Sequence, residues 1–155
     1  MVFKLIIRLF LHKSNAMRIL IINGPNLNLL GKRQVEIYGN QSFEDYFDVL
    51  QMHFKTVNLE FFQSNHEGEL IDKLHLADHH FDAVVMNPGA FAHTSIALAD
   101  AIKSISIPVV EVHISNIHAR EEYRRNSFTA EACKGIISGF GMESYRLAID
   151  YFHQK

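Results

Sequence analysis

The stretch Arg18-Ile-Leu-Ile-Ile-Asn23, followed at once by Gly24-Pro25, decides the fold class. It is a short apolar run rich in β-branched residues, and it stops at two residues that commonly end strands. Such a run predicts a strand buried on both faces, which is typical of a parallel sheet covered by helices. Comparable runs predict four further strands over residues 57–63, 83–86, 108–112 and 133–140.

Amphipathic segments separate these runs. Ser42 is a suitable N-cap with Asp45 three residues later, so a helix is predicted from Phe43 to about Lys55. Further helices are predicted over residues 67–80, 94–104 and 142–152, and a charged helical turn near 120–124. The alternation, repeated five times, predicts an α/β fold: a flavodoxin-like, doubly wound five-stranded parallel sheet with helices on both faces. Ligands of such sheets bind beyond the carboxyl ends of the strands, so we expect function in the loops after strands one, three and four.

Composition limits the classes of function. The 155 residues are 48% hydrophobic and 21% charged, which predicts one ordered domain. A formal charge of -2 without a basic run argues against nucleic-acid binding, and no apolar run is long enough to span a membrane. The single cysteine, Cys133, excludes an internal disulfide and lies in an apolar stretch, so an inert thiol and a cytoplasmic location are expected.

Residues 1–16 are treated separately. The part from Met1 to Leu11 is apolar with Lys4 and Arg8 interspersed, and a second methionine, Met17, opens the first predicted strand. We interpret residues 1–16 as an N-terminal extension or an expression remnant ending in Ser14-Asn15-Ala16, and expect residues 17–155 to form the single domain.

Unusual polar residues collect in the three loops where function is expected. Between Gly31 and Gly39, Arg33 and Tyr38 suggest a mobile flap that brings a guanidinium next to a phenol, an arrangement that favours the phenolate. His113 is the only histidine at a predicted strand end with a carboxylate, Glu111, two residues before it. These residue types suit acid–base chemistry.

Each feature has a simpler interpretation. The Asn- and Gly-rich first loop is also compatible with a phosphate cradle, although the GxGxxG and P-loop motifs are absent. Glu111 and His113 are equally compatible with a structural hydrogen-bonded pair. The spacing of residues 120–125 favours a solvated helix face. His75 and His79 have the i,i+4 spacing of metal ligands, but no HExxH motif is present and solvent exposure is the favoured interpretation.

Four blocks together resemble the signature of the type II 3-dehydroquinate dehydratase family. In order they are Asn23-Gly-Pro-Asn-Leu-Asn-Leu-Leu-Gly31 with Arg33 and Tyr38-Gly39, Gln63-Ser-Asn-His-Glu-Gly68, Asn87-Pro-Gly with His93-Thr-Ser, and the segment from Glu111 to Arg124. The resemblance runs from Met17 essentially to the end of the chain. It implies a hydro-lyase that converts 3-dehydroquinate to 3-dehydroshikimate in the shikimate pathway of aromatic amino acid biosynthesis, with quinate breakdown as the alternative use of the same reaction.

The resemblance also implies residue roles. Tyr38 would be the base that removes a C2 proton, and Arg33 would lower the pKa of its phenol. Asn26 would stabilise the enolate through a water. His113 would be the general acid, with Glu111 fixing its tautomer and orientation.

Substrate-binding residues follow from the same resemblance. Asn87 and the backbone N–H groups of Ile114 and Ser115 would hold the substrate carboxylate. His93 and Arg124 would contact the ring hydroxyls. No metal and no cofactor is implied.

The family's assembly is a homododecamer of four trimers, and Asp100 resembles a residue that reaches a neighbouring active site. Two departures bear on this picture. Gln34-Val35 stands where the family often has Glu-Pro, and Ala99 where an arginine commonly precedes the aspartate. The rival hypotheses are a flavodoxin-like module that binds a phosphate or nucleotide, and a catalytically dead relative, which is disfavoured because the proposed acid and base are both present.

Overall fold

Five strands form one parallel sheet. They are β1 (Met17–Asn23), β2 (Val57–Gln63), β3 (Ala83–Asn87), β4 (Val109–His113) and β5 (Gly135–Ser138). Their order in the sheet is β2-β1-β3-β4-β5, with every neighbouring pair parallel. This is the flavodoxin-like order, so the predicted fold class is confirmed. The computed structural model describes residues 16–32 and 40–154; Arg33, Tyr38 and Gln34-Val35 lie outside them.

Four α-helices cover the two faces of the sheet. They are α1 (Phe43–His53), α2 (Glu67–His80), α3 (Ile96–Ser104) and α4 (Glu143–His153). Successive side chains of a strand point to opposite faces, so Ile19 and Ile21 pack with α1 and α4, while Leu20 and Ile22 pack with α2 and α3. The apolar run of β1 is thus buried on both faces of the sheet. None of the described helices is long and apolar enough to cross a membrane.

Three predicted elements differ from the structure. The connection from β4 to β5 holds 3-10 turns and no α-helix among its residues, so the alternation of strand and α-helix is not repeated five times. The fifth strand spans 135–138 and not 133–140, because the 3-10 turn Ala130–Ala132 ends directly before it and a glycine-containing turn follows. The third helix begins at Ile96 and not Thr94, because the Ser95 hydroxyl accepts from the N–H of Leu98 as an N-cap.

Cys133 therefore lies outside the strand to which it was assigned. Its side chain is half-buried, and that burial raises the pKa of the thiol. The raised pKa agrees with an inert thiol, since the thiolate is the nucleophilic form.

The loops after β1 and β3 touch through their backbones. The N–H of Gly24 donates to the carbonyl of Asn87 at 2.8 Å. A Cβ atom added to Gly24 would lie 2.4 Å from the carbonyl oxygen of Pro88, which is closer than any real contact. Glycine at this position lets the loops after β1 and β3 approach each other.

Gly24→Ala tests that contact. We expect the substitution to lower the free energy of unfolding by about 2 kcal/mol or more, because the atoms that must move belong to the backbone. Gly68→Ala is the matched control: a Cβ on that exposed residue of α2 meets nothing within 4 Å, so the change should stabilise the fold by about 0.4–1 kcal/mol. Urea unfolding at one fixed protein concentration measures both. Equal stability of the two variants would show that the close approach at Gly24 does not matter for folding.

Candidate active site

A cavity of about 200 Å³ lies beyond the carboxyl ends of β1, β3 and β4. Among the residues that line it are Asn26, Asn87, His93, His113, Ile114, Ser115 and Arg124, all of which were assigned to the site from the sequence. The described part of the cavity is smaller than the roughly 300–1,000 Å³ typical of sites for drug-sized ligands. Its size favours a compact ligand.

His113 and Glu111 form a buried pair at the wall of this cavity. Both point to the same face of β4, and Nε2 of His113 lies 2.6 Å from Oε1 of Glu111. The carboxylate is fully buried, whereas His113 lines the cavity. Because Nε2 is engaged, Nδ1 is the ring nitrogen left for a ligand, and it can donate a proton when the ring is an imidazolium.

Two hydroxyls that the sequence analysis missed complete the surroundings of Glu111. Ser127 Oγ donates to Oε1 at 2.7 Å, and Thr129 Oγ1 donates to Oε2 at 2.5 Å. The carboxylate thus has three hydrogen-bond partners, which a buried charge requires. Ser127 and Thr129 are two residues apart, as are Glu111 and His113. This spacing is the only feature of the sequence that could have indicated the two hydroxyls.

Asn26 adopts a left-handed backbone conformation, with φ of 67°. Its N–H donates to Oδ1 of Asn65 at 2.9 Å, and that oxygen also accepts from Nε2 of Gln63 at 3.1 Å. The loop after β2 therefore holds the loop after β1, and the exposed side chain of Asn26 is presented to the cavity. Asparagine tolerates this backbone region better than most residues.

The cavity carries positive charge on the side formed by the β4–β5 connection. Arg120 and Arg124 both line it, with Glu121 Oε2 at 3.5 Å and 3.0 Å from their respective Nε atoms. The pKa of the half-exposed Glu121 carboxyl is lowered, mainly by a hydrogen bond from its own backbone N–H. The positive charges of the two neighbouring guanidinium groups act in the same direction. The interpretation of residues 120–125 as a solvated helix face is therefore wrong for these two arginines.

His93 lies next to His113, with the two rings stacked and their centroids 6.1 Å apart. Nδ1 of His93 is 2.7 Å from the carbonyl oxygen of Asn126, so the tautomer with hydrogen on Nδ1 donates there. Burial is the main cause of the lowered pKa of His93, and the positive charges of His113 and Arg124 act in the same direction. The lowered pKa favours the neutral ring.

The remaining assigned residues lie elsewhere. Asp100 is exposed on α3 and is not among the residues that line the cavity. His75 and His79 are exposed on α2, as expected. In residues 16–32 and 40–154, no three or more His, Cys, Asp or Glu side chains are grouped so that they could hold a metal ion.

Comparison with known proteins places this geometry in a family. The sequence model described as "Dehydroquinase class II" matches residues 17–153. This chain belongs to the class II dehydroquinase family. It is accordingly an enzyme, a hydro-lyase.

Individual dehydroquinases are close in sequence and structure. A 3-dehydroquinate dehydratase of Clostridium botulinum is 56% identical over 135 residues, covering 86% of this chain and 92% of that protein. One of Thermotoga petrophila is 54% identical over 141 residues, covering 90% and 96%. The crystal structure of type II dehydroquinase from Butyrivibrio crossotus superposes with a TM-score of 0.86 at 46% identity, covering 88% of this chain and 97% of that one.

Thr129→Val tests the hydrogen bonding of the buried carboxylate in this dehydroquinase. Valine has the shape of threonine but no hydroxyl, so one oxygen of Glu111 would lose its donor. We expect the free energy of unfolding to fall by about 1.5–3 kcal/mol, as for hydrogen bonds to charged groups. Thr129→Ser keeps the hydroxyl and should lose about 1 kcal/mol or less, for one methyl group. Urea unfolding distinguishes them, and a valine variant as stable as the serine variant would contradict this description of Glu111.

Proposed function

We propose that the chain eliminates water reversibly from 3-dehydroquinate to give 3-dehydroshikimate, as a biosynthetic enzyme of the shikimate pathway in the cytoplasm. Family membership and the names of the relatives support the reaction. The observation that carries the mechanism is the buried Glu111 carboxylate 2.6 Å from Nε2 of His113 at the cavity wall.

His113 acts as the general acid in this proposal. Its imidazolium donates the Nδ1 proton to the hydroxyl that leaves C1 of the substrate, so the group departs as water. Glu111 accepts from Nε2–H, which orients the ring and stabilises the imidazolium before the transfer. Ser127 and Thr129 keep the carboxylate oxygens in place.

Tyr38 acts as the base. Its phenolate takes a proton from C2, and the electron pair left behind forms the C2–C3 double bond of an enolate with its charge on the C3 oxygen. Expulsion of the C1 hydroxyl then forms the C1–C2 double bond. Arg33 favours the phenolate, and Asn26 stabilises the enolate oxygen through a water.

The described ends of the segment that carries Arg33 and Tyr38 support this assignment. Leu29 and Leu30 line the cavity directly before that segment. A Cβ added to Gly31 would lie 2.9 Å from the carbonyl oxygen of Asn40, the first described residue after it. The described residues on either side of the segment thus lie close together.

Substrate binding uses donors that line the cavity. Asn87 and the backbone N–H groups of Ile114 and Ser115 hold the carboxylate of 3-dehydroquinate, and His93 and Arg124 contact its ring hydroxyls. The guanidinium of Arg124 adds a favourable positive charge for an anionic substrate. No metal and no cofactor takes part in the proposed reaction.

The chain assembles as a homododecamer of four trimers in this proposal, with Asp100 reaching the cavity of a neighbouring subunit. The position of Asp100 supports it, because its side chain lies on the exposed face of α3 with Ile96, an apolar residue that is 64% exposed. An exposed isoleucine beside a carboxylate suits a subunit contact with a polar component.

Ultraviolet absorbance tests the reaction, because the conjugated enone carboxylate of the product absorbs where 3-dehydroquinate does not. We expect wild-type turnover, and a loss of about 10²–10⁴-fold in kcat for Tyr38→Phe and for His113→Ala, the range typical of removing a general acid or base.

Matched controls are Tyr151→Phe, at the far end of α4, and His75→Ala, which is exposed on α2; both should retain wild-type rates. All variants should match the wild type in oligomer mass by light scattering. A correctly assembled wild type that leaves 3-dehydroquinate unchanged would overturn the proposed function. Near-normal kcat in either site variant would overturn that residue's role.

A further inference from the structure

The first turn of α4 contacts the ends of the three strands whose loops form the cavity. Ser144 Oγ donates to the carbonyl of His113 at the end of β4, at 3.0 Å. The Tyr145 hydroxyl donates to Oδ1 of Asn23 at the end of β1, and accepts from Nδ2 of Asn87 at the end of β3, both at 2.9 Å. All five residues are buried. One helical turn therefore connects the ends of β1, β3 and β4 through hydrogen bonds.

The directions of these hydrogen bonds fix the orientation of the Asn87 amide. A phenol has one O–H group, and Tyr145 uses it to donate a hydrogen bond to Asn23. In its hydrogen bond with Asn87, the phenol oxygen must therefore be the acceptor. Oδ1 of Asn87 accepts from the N–H of Gly89 at 3.2 Å. Of the amide's two N–H groups, one is used by Tyr145, and the other remains for a ligand in the cavity that Asn87 lines.

The opposite orientation of the amide would break two hydrogen bonds. If the Asn87 amide turned by 180°, its NH₂ group would face the N–H of Gly89, so that two donors would meet. Its oxygen would face the Tyr145 oxygen, whose O–H group already donates to Asn23, so that two acceptors would meet. The Asn87 amide and the Tyr145 hydroxyl are buried, and an unsatisfied donor or acceptor is costly there. Tyr145 thus discriminates between an Asn87 that donates to the cavity and one that accepts.

Tyr145 is well suited to this role because its ring is held rigidly. It is 0% exposed and packs against Phe43 and Tyr46, with ring centroids 5.1 Å and 6.5 Å away. Burial raises the pKa of its hydroxyl, so the phenol keeps the proton that Asn23 accepts. The hydroxyl therefore stays a donor to Asn23 at neutral pH.

We propose that Tyr145 is a positioning residue for substrate binding: its hydroxyl locks the Asn87 amide so that an N–H group points at the substrate carboxylate. The identity of that carboxylate rests on the proposed function, whereas the amide orientation rests on the hydrogen bonds alone. Tyr145 touches no substrate in this scheme and acts through Asn87. Asn23 contributes to the same positioning, because its Oδ1 accepts the hydrogen bond from the Tyr145 hydroxyl.

Tyr145→Phe removes the hydroxyl and keeps the ring. We expect KM for 3-dehydroquinate to rise about tenfold, the effect of one hydrogen bond of moderate strength, with kcat within about twofold of wild type. Tyr46→Phe is the matched control: it deletes a hydroxyl from the same aromatic cluster, but that hydroxyl donates to Glu143 and not to a strand end. Its KM and kcat should equal those of wild type.

Asn23→Ala is the second variant, in case Tyr145→Phe does not fold. It removes the acceptor of the phenol proton, so Tyr145 can donate to Asn87 and the amide can turn; KM should rise as in Tyr145→Phe. Unchanged KM in a folded Tyr145→Phe or Asn23→Ala protein would overturn the positioning role, as would a fall in kcat alone or the same KM rise in Tyr46→Phe. Turnover by wild type and Tyr46→Phe in the same assay separates such a failure from failure of the proposed function.

Discussion

The backbone contact between the loops after β1 and β3 is the constraint on which the site depends. Strand order reverses at β1, which pairs with β2 on one side and β3 on the other, so the crevice of the fold opens between β1 and β3. Gly24 brings the two loops together there, with its N–H on the carbonyl of Asn87. Asn26 and Asn87 consequently approach the cavity from adjacent strands, and a side chain at residue 24 would separate them.

Beneath the cavity, two buried polar networks hold the groups that face it. One surrounds the Glu111 carboxylate with a histidine and two hydroxyls, and the other joins Asn87 to Asn23 through Tyr145. Buried hydrogen-bond networks of this kind fix the directions of their groups as well as their positions. In the proposed mechanism the first network orients the proton donor His113, and the second orients an N–H group of Asn87. Direction is what acid catalysis and carboxylate binding both require.

Much of the fold was predictable because it depends on local pattern. Short apolar runs and amphipathic segments predicted all five strands and four helices, and the strand-end rule predicted where the cavity lies. The arginines at 120 and 124 were misjudged from spacing alone, because a charged turn on the surface and one at a cavity have the same sequence pattern. The partners of Glu111 and Asn87 were missed for a different reason. Thr129 and Tyr145 meet them only through tertiary packing, 18 and 58 residues away along the chain.

In the proposed function, the cavity beyond β1, β3 and β4 binds the substrate through Asn87 and the start of the loop after β4. A crystal structure of the wild-type protein soaked with the product 3-dehydroshikimate tests it most directly. We expect the ring of the product in this cavity, with its carboxylate on Nδ2 of Asn87 and on the backbone N–H groups of Ile114 and Ser115. Product bound at another surface, or a cavity left empty at saturating product, would contradict it.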